Sequence, residues 1–122
     1  MSTRLATIEA TALLIDAARE MHERSIGAVL VMANEGVAGI LTERDLLHCV
    51  ATSGVEGASV ADWMTRNPET IEPSDTTAYA ASVMIHGGFR HLPVVEGGKP
   101  IGIVSIRDLM RTVLDDESPR GV

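Results

Sequence analysis

Cysteine and aromatic residues are scarce in this chain of 122 residues. The single cysteine, Cys49, excludes an internal disulfide and a cysteine-based zinc site, and it fits a reducing compartment. Aromatic residues make up 2% of the chain, which disfavours proteins that stack several nucleic-acid bases on aromatic rings. The core must therefore be built from aliphatic residues and methionine.

Long apolar runs and a surplus of basic residues are also missing. The longest apolar stretch, residues 28–33, is too short to cross a bilayer, and the first residues lead into no run of the signal-peptide type. Seventeen acidic residues against ten basic ones give a net charge of −7, which repels nucleic-acid phosphates and anionic lipid. We therefore expect a cytoplasmic protein that binds neither nucleic acid nor a membrane.

A repeat with an offset of 63 residues fills most of the chain. Residues 7–51 can be laid on residues 70–114 without a gap, and 13 of the 45 aligned pairs are identical. In each copy a short leading strand, a helix, two strands joined by a turn and a second helix follow one another. This order predicts an α/β (α+β) fold made of two similar units.

The periodicity of apolar residues places these elements. The first helix of each copy follows helical spacing from Ala10 to Met21 and from Ala78 to Ile85, with Thr11 and Ser74 as expected N-caps. The glycine-containing breaks that follow are at Gly27 and at residues 87–88. The remaining expected elements are leading strands at 7–8 and 70–71, strands at 28–32, 37–41, 91–95 and 100–104, and helices at 43–50 and 106–114.

The repeat also predicts the domain organisation. We expect one unit over residues 1–51, a linker with a short helix that leads into the next unit over 52–63, a second unit over 64–114, and a flexible acidic tail over 115–122. Met1 occupies the place of Met64, so no counterpart of that short helix is expected in the first copy.

One motif in each copy contains the polar residues that are suited to bind a ligand. The strings GILTERD (residues 39–45) and GIVSIRD (residues 102–108) pass from a strand, through Thr or Ser, into the first turn of a helix. A helix N-terminus favours an anion, the hydroxyl can bond a phosphate, and the acid can accept two hydrogen bonds from a vicinal diol such as ribose. The alternative is a pair of capping boxes that need no ligand.

The repeated GILTERDLL and GIVSIRDLM strings, with SIGAVLV and FRHLPVV upstream, resemble tandem pairs of cystathionine-β-synthase (CBS) domains, often called Bateman modules. The resemblance covers roughly residues 5–114. It implies two pseudo-twofold-related units with two clefts between them that bind an adenosine-containing ligand such as AMP, ADP, ATP or S-adenosylmethionine. In that arrangement the Asp holds the ribose hydroxyls and the Thr or Ser lies near phosphate. The nucleotide is a regulatory ligand, and no obligatory cofactor is implied.

The resemblance also implies which residues form each site. One site combines Thr42 and Asp45 with Thr70, Ile71, Phe89, Arg90 and His91. The second combines Ser105 and Asp108 with Thr7, Ile8, Ile26, Gly27 and Ala28, and has Arg90 or His91 within reach of phosphate. Because Arg90 and His91 align with Gly27 and Ala28, only the second copy carries cations at this place, and the site at Ser105 and Asp108 is favoured.

Two functional hypotheses follow. The sequence shows no nucleophile with a base, no paired catalytic carboxylates and no metal-ligand spacing of histidines, so we expect no enzyme, no catalytic residue and no metal site. The resemblance implies a stand-alone regulatory homodimer that senses an adenine nucleotide and signals to an unknown target protein by a change in packing. The alternative is a ligand-free dimerisation or protein-interaction module whose motifs serve only as helix caps.

Overall fold

The computed structural model describes residues 5–34 and 36–116. Its backbone contacts divide the chain into two compact units, one of residues 5–68 and one that begins at Glu69. We call these the first unit and the second unit. Of the expected acidic tail, residues 117–122 lie outside the described residues. The fold is α+β, as predicted.

The first unit has a four-stranded sheet and three helices. The elements are β1 (Thr7–Glu9), α1 (Leu14–Arg24), β2 (Ala28–Ala33), β3 (Gly36–Thr42), α2 (Glu43–Thr52), α3 (Val60–Trp63) and β4 (Thr65–Arg66). The strands are in the order β1-β2-β3-β4, with β1 parallel to β2 and the other neighbours antiparallel. The sequence did not predict β4, because a strand of two residues has no periodicity.

The second unit is built around an antiparallel hairpin and two helices. The elements are α4 (Thr77–Gly87), β5 (His91–Glu96), β6 (Lys99–Ser105) and α5 (Ile106–Asp116). The leading strand expected at residues 70–71 is reduced to a single parallel bridge between Ile71 and Val94. The amide of Glu72 already donates to the Asp75 carboxylate (2.7 Å), so the chain turns away immediately after this bridge.

Both hairpins carry a bulge at the same aligned position. In the first unit the pairing passes from Val31–Gly39 to Met32–Val37, which skips Ala38. In the second unit it passes from Val94–Gly102 to Val95–Pro100, which skips Ile101. An extra residue of this kind bends the strand and increases its local twist.

Each unit has its own core of aliphatic residues and methionine, as the composition predicted. Met21 and Met84, which align in the repeat, are both buried. Cys49 is buried in the first unit, where its thiol donates to the Gly54 carbonyl (3.2 Å). The buried residues that cluster into these cores are Ala6, Leu14, Ala17, Met21, Val29, Val31, Leu41, Cys49 and Val60 in the first unit, and Ile71, Ala80, Met84, Leu92, Val94, Val104 and Leu109 in the second. Ala28, Leu30 and Ile40 of the first unit are buried as well. Val60 comes from the segment expected to be a linker.

The N-cap predicted for α1 is wrong. Thr11 lies before the helix, which begins at Leu14 and has no side-chain cap at Leu13. The amide of Leu14 instead donates to the backbone carbonyl of Ala58 (2.8 Å). At the other end, Ser25 ends the helix in the left-handed conformation (φ 55°), two residues before the expected break at Gly27.

The N-cap predicted for α4 is also wrong. Ser74 lies in the turn that the amide of Asp75 closes by donating to the Glu72 carbonyl (2.9 Å). The N-cap is Thr76, two residues after the expected one, and its hydroxyl accepts a hydrogen bond from the amide of Tyr79 (3.0 Å).

Candidate functional site

Ser105 and Asp108 form a reciprocal cap at the start of α5. The amide of Asp108 donates to Ser105 Oγ (3.1 Å), and the amide of Ser105 donates to Asp108 Oδ2 (3.0 Å). Within the part of the chain that the structure describes, no hydrogen bond to Asp108 Oδ1 and none from the Ser105 hydroxyl hydrogen is formed. Both side chains are half-buried. The cap therefore keeps one carboxylate oxygen and one hydroxyl donor for a ligand.

Arg90 and His91 lie beside this cap in the same unit. His91 pairs with Ser105 across the β5–β6 hairpin, and the amide of Ile106 donates to the Arg90 carbonyl (2.8 Å). Arg90 is exposed and His91 is half-buried. The positive end of α5 thus lies beside the backbone of a cationic residue, Arg90, and both features favour an anion.

Thr42 and Asp45 form the corresponding cap at the start of α2. The amide of Thr42 donates to Asp45 Oδ2 (2.8 Å), and the hydroxyl of Thr42 donates to the same oxygen (3.1 Å). Here the hydroxyl hydrogen is used by the neighbouring carboxylate. The two caps share one plan, but only the cap at Ser105 leaves a hydroxyl donor for a ligand.

Small residues lie beside the cap of α2. Ala28 pairs with Thr42 across the β2–β3 hairpin, and the amide of Glu43 donates to the Gly27 carbonyl (3.0 Å). Glu43 is exposed and places a second acid next to Asp45. The sequence predictions did not include Glu43, although its alignment with the uncharged Ile106 already marks a charge difference between the two caps. The cap of α2 is therefore a poorer environment for a phosphate than the cap of α5.

The other residues assigned to a site from the first unit lie in or near its sheet. Thr7 is exposed and Ile8 is half-buried in β1, where they pair with residues of β2. Ile26 is half-buried and packs against the core of the first unit.

The remaining site residues come from the second unit. Thr70 is exposed, whereas the side chain of Ile71 is buried in the core. The amide and carbonyl of Ile71 both form hydrogen bonds with β5 (3.0 and 2.8 Å), so these backbone groups stabilise the second unit and are not directed at a ligand. Phe89 is half-buried, and its ring lies directly against Gly87. The combination of residues from both units in each site stays a prediction.

The described residues form neither a metal cluster nor a membrane-spanning helix. Residues 5–34 and 36–116 contain no group of three or more His, Cys, Asp or Glu side chains that could hold a metal ion. Within the same residues, no helix is both long enough and apolar enough to span a bilayer.

Comparison with known proteins gives consistent matches along the chain. The CBS domain family model matches residues 1–52 and 60–115. An uncharacterised 17.7 kDa protein of Acidianus ambivalens is 34% identical over 116 residues, which cover 93% of this chain and 70% of the relative. The chain spans only 19% of the length of CBSCBSPB1, a CBS-domain-containing protein of Arabidopsis thaliana.

Solved structures agree with this match. A protein with CBS domains from Burkholderia ambifaria MC40-6, assigned to signal transduction, is 35% identical with a TM-score of 0.87, over 94% of this chain and 86% of that chain. The structure of CBSX2 in complex with AMP is 27% identical with a TM-score of 0.81, over 96% and 94% of the two chains. This chain therefore belongs to the CBS domain family and carries a tandem pair of CBS domains.

Proposed function

We propose that this chain is a regulatory module, without enzymatic activity, that binds an adenine nucleotide of the AMP, ADP or ATP class. Binding changes the packing of the module and so its affinity for a target protein. The observation that carries this proposal is the start of α5, where the Ser105–Asp108 cap keeps a free carboxylate oxygen and a hydroxyl donor beside Arg90. The AMP bound by the related CBSX2 structure supports the ligand class.

In the proposed site, different groups bind the ribose and the phosphate of the nucleotide. Asp108 accepts hydrogen bonds from the ribose hydroxyls through Oδ1, because an ionised carboxylate can only accept. The Ser105 hydroxyl, the first turn of α5 and Arg90 hold the phosphate. A dissociation constant of about 10 µM corresponds to roughly 7 kcal/mol, which a buried adenine, one diol contact and one phosphate contact can supply.

Asp108→Asn tests this function, with Asp45→Asn as its matched control in the other copy. We expect Asp108→Asn to weaken AMP binding by about 1.5 to 3 kcal/mol, the range for a hydrogen bond to a charged group, while Asp45→Asn has a smaller effect. Isothermal titration calorimetry with AMP measures both. An unchanged dissociation constant for Asp108→Asn contradicts the ribose contact, and equal losses for both variants contradict the difference between the copies.

The second candidate function is a ligand-free interaction module. A specific observation favours it, since both Thr42–Asp45 and Ser105–Asp108 form the bonds of a capping box without any ligand. In that case millimolar AMP leaves the melting temperature unchanged. Either Asp→Asn substitution then lowers the free energy of unfolding by about 1 kcal/mol or less and has no other effect.

We further propose that the chain works as a homodimer in the cytoplasm. The single cysteine, which is buried, fits a reducing compartment. Six large apolar side chains are more than half exposed, with two on each of the helices α2, α4 and α5. Exposed apolar surfaces of this kind are typical of protein–protein contacts. These residues are Leu47, Val50, Tyr79, Ile85, Met110 and Leu114.

A further inference from the structure

The first turns of α2 and α5 differ in charge at one aligned position. In each turn an arginine and an aspartate follow a variable residue, which is Glu43 in α2 and Ile106 in α5. The arginine and the aspartate are the same in both copies, so they contribute equally to the two caps. Residues 43–45 therefore carry a formal charge of −1, whereas residues 106–108 carry none. The difference in charge between the two turns comes from Glu43.

Glu43 and Ile106 occupy the same place in the backbone. The amide of Glu43 donates to the Gly27 carbonyl (3.0 Å), and the amide of Ile106 donates to the aligned carbonyl of Arg90 (2.8 Å). Each residue is the first of its helix. The side chain of Glu43 is exposed, whereas that of Ile106 is half-buried and packs against the core of the second unit. A substitution at this position therefore changes the charge at a cap and keeps the backbone bond that holds the residue.

We infer that Glu43 is a specificity-determining residue that excludes phosphate from the cap of α2, so that each chain binds one AMP, at the cap of α5. This inference rests on the proposed function and decides which of the two caps takes the phosphate. A phosphate monoester carries a charge of about −1.5 to −2 at pH 7, and an exposed carboxylate is ionised at that pH. The negative charge of Glu43 thus opposes the attraction that the helix N-terminus exerts on the phosphate. Repulsion of the wrong ligand is a general source of specificity.

The other differences between the caps only remove an attraction. Gly27 takes the place of Arg90, and the hydroxyl of Thr42 already donates to Asp45 Oδ2 (3.1 Å). Both differences weaken a phosphate site, but neither repels a phosphate. Across the described residues, the carboxylate of Glu43 forms no ion pair and no hydrogen bond that would neutralise its charge. Glu43 is therefore the residue of this cap that acts against the phosphate itself.

Substitutions of Ile106 transfer the charge to the favoured cap. Ile106→Glu introduces the acid of the first copy, and Ile106→Gln is the matched control of similar shape without the charge. We expect the dissociation constant for AMP to be about 5- to 10-fold higher in Ile106→Glu than in Ile106→Gln, and the difference to shrink at high salt. The dissociation constant for adenosine, which has no phosphate, should be the same in both variants. Isothermal titration calorimetry with both ligands at two salt concentrations measures these values.

The reverse substitution removes the charge from the first copy. We expect Glu43→Gln to raise the affinity for a second AMP about 5-fold and to leave the binding of the first AMP unchanged. Equilibrium dialysis with labelled AMP, up to millimolar concentrations, measures the AMP bound per chain. Glu56→Gln is the control, because Glu56 is exposed, lies beyond the other end of α2 and contributes the same unit of net charge. It is expected to change neither binding step.

Three results overturn the role of Glu43 and leave the proposed function in place. These are two AMP molecules bound with equal affinity by the wild type, equal dissociation constants for Ile106→Glu and Ile106→Gln, and no gain of a second AMP in Glu43→Gln. A wild type that binds no AMP overturns the proposed function and this role with it. Far-UV circular dichroism checks that the variants of the half-buried Ile106 are folded. If they are not, Glu43→Gln at its exposed position decides the question alone.

Discussion

The starts of α2 and α5 have the same backbone plan but different surroundings. In both, an acid three residues after a hydroxyl accepts the amide at the end of the preceding strand. Around one cap lie Gly27, Ala28 and Glu43, and around the other lie Arg90, His91 and Ile106. The shared bonds are those that any helix start needs, whereas the neighbouring side chains set the local charge. Any difference between the two caps in their attraction for an anion therefore depends on the positions at which the copies differ, not on the hydroxyl and acid that they share.

The largest expected effect tests what the copies share. Met21→Ala and Met84→Ala each remove a buried thioether from one core, and we expect each to lower the free energy of unfolding by about 2 to 5 kcal/mol. Urea denaturation followed by circular dichroism measures both. Met110→Ala, on an exposed position, is the control and is expected to change stability by less than about 0.5 kcal/mol. A loss below about 1 kcal/mol at only one of the two buried positions contradicts the equivalence of the cores.

A smaller effect is expected where the copies differ. Arg90→Gly gives the second copy the residue of the first, and we expect it to weaken AMP binding by about 1 to 2 kcal/mol. This is less than a buried charged hydrogen bond because Arg90 is exposed. Binding of adenosine, which has no phosphate, should not change. Calorimetry with both ligands checks this, and equal losses for AMP and adenosine argue against a phosphate contact.

The smallest effect is expected on α1. Arg24→Ala removes the ion pair with Glu20, whose side chains are 53% and 38% exposed, and should lower stability by less than about 0.5 kcal/mol. Thermal unfolding measures the change, and sedimentation velocity should show the wild-type oligomer. A larger loss of stability, or a changed oligomeric state, contradicts the interpretation of α1 as a solvated surface and so the difference between α1 and α4, which has no Asp, Glu, Lys or Arg.

Much of the fold could be predicted because its signals are local. The repeat predicted two similar α+β units, and the resemblance of its strings to a known family predicted the tandem CBS pair. Both predictions are confirmed, and the apolar strands are within one residue of the predicted bounds. The start of α1 was missed because the partner of its first amide is the carbonyl of Ala58, which is distant in sequence. Ser74 was wrongly predicted as an N-cap because it lies inside a turn that its neighbour closes. The amide of Asp75 donates to the Glu72 carbonyl, and the carboxylate of Asp75 accepts from the Glu72 amide.

The candidate site was predictable to a similar extent. The spacing of Ser105 and Asp108 is a local pattern, so the sequence identified the cap at the correct helix start. The sequence did not distinguish the hydroxyl of Thr42 from that of Ser105, because the two groups have the same donors and acceptors. Only the structure shows that the hydroxyl of Thr42 donates to the carboxylate of the same cap, whereas the hydroxyl of Ser105 does not.

The bulges in the two hairpins bear on the history of the chain. An extra residue in a strand turns every side chain beyond it to the opposite face unless the strand absorbs it, and bulges are therefore kept within families. Duplication of a single ancestral unit that already had the bulge accounts for its presence at both Ala38 and Ile101. On that account, residues such as Arg90 and Ile85, which differ from their aligned partners, changed after the duplication.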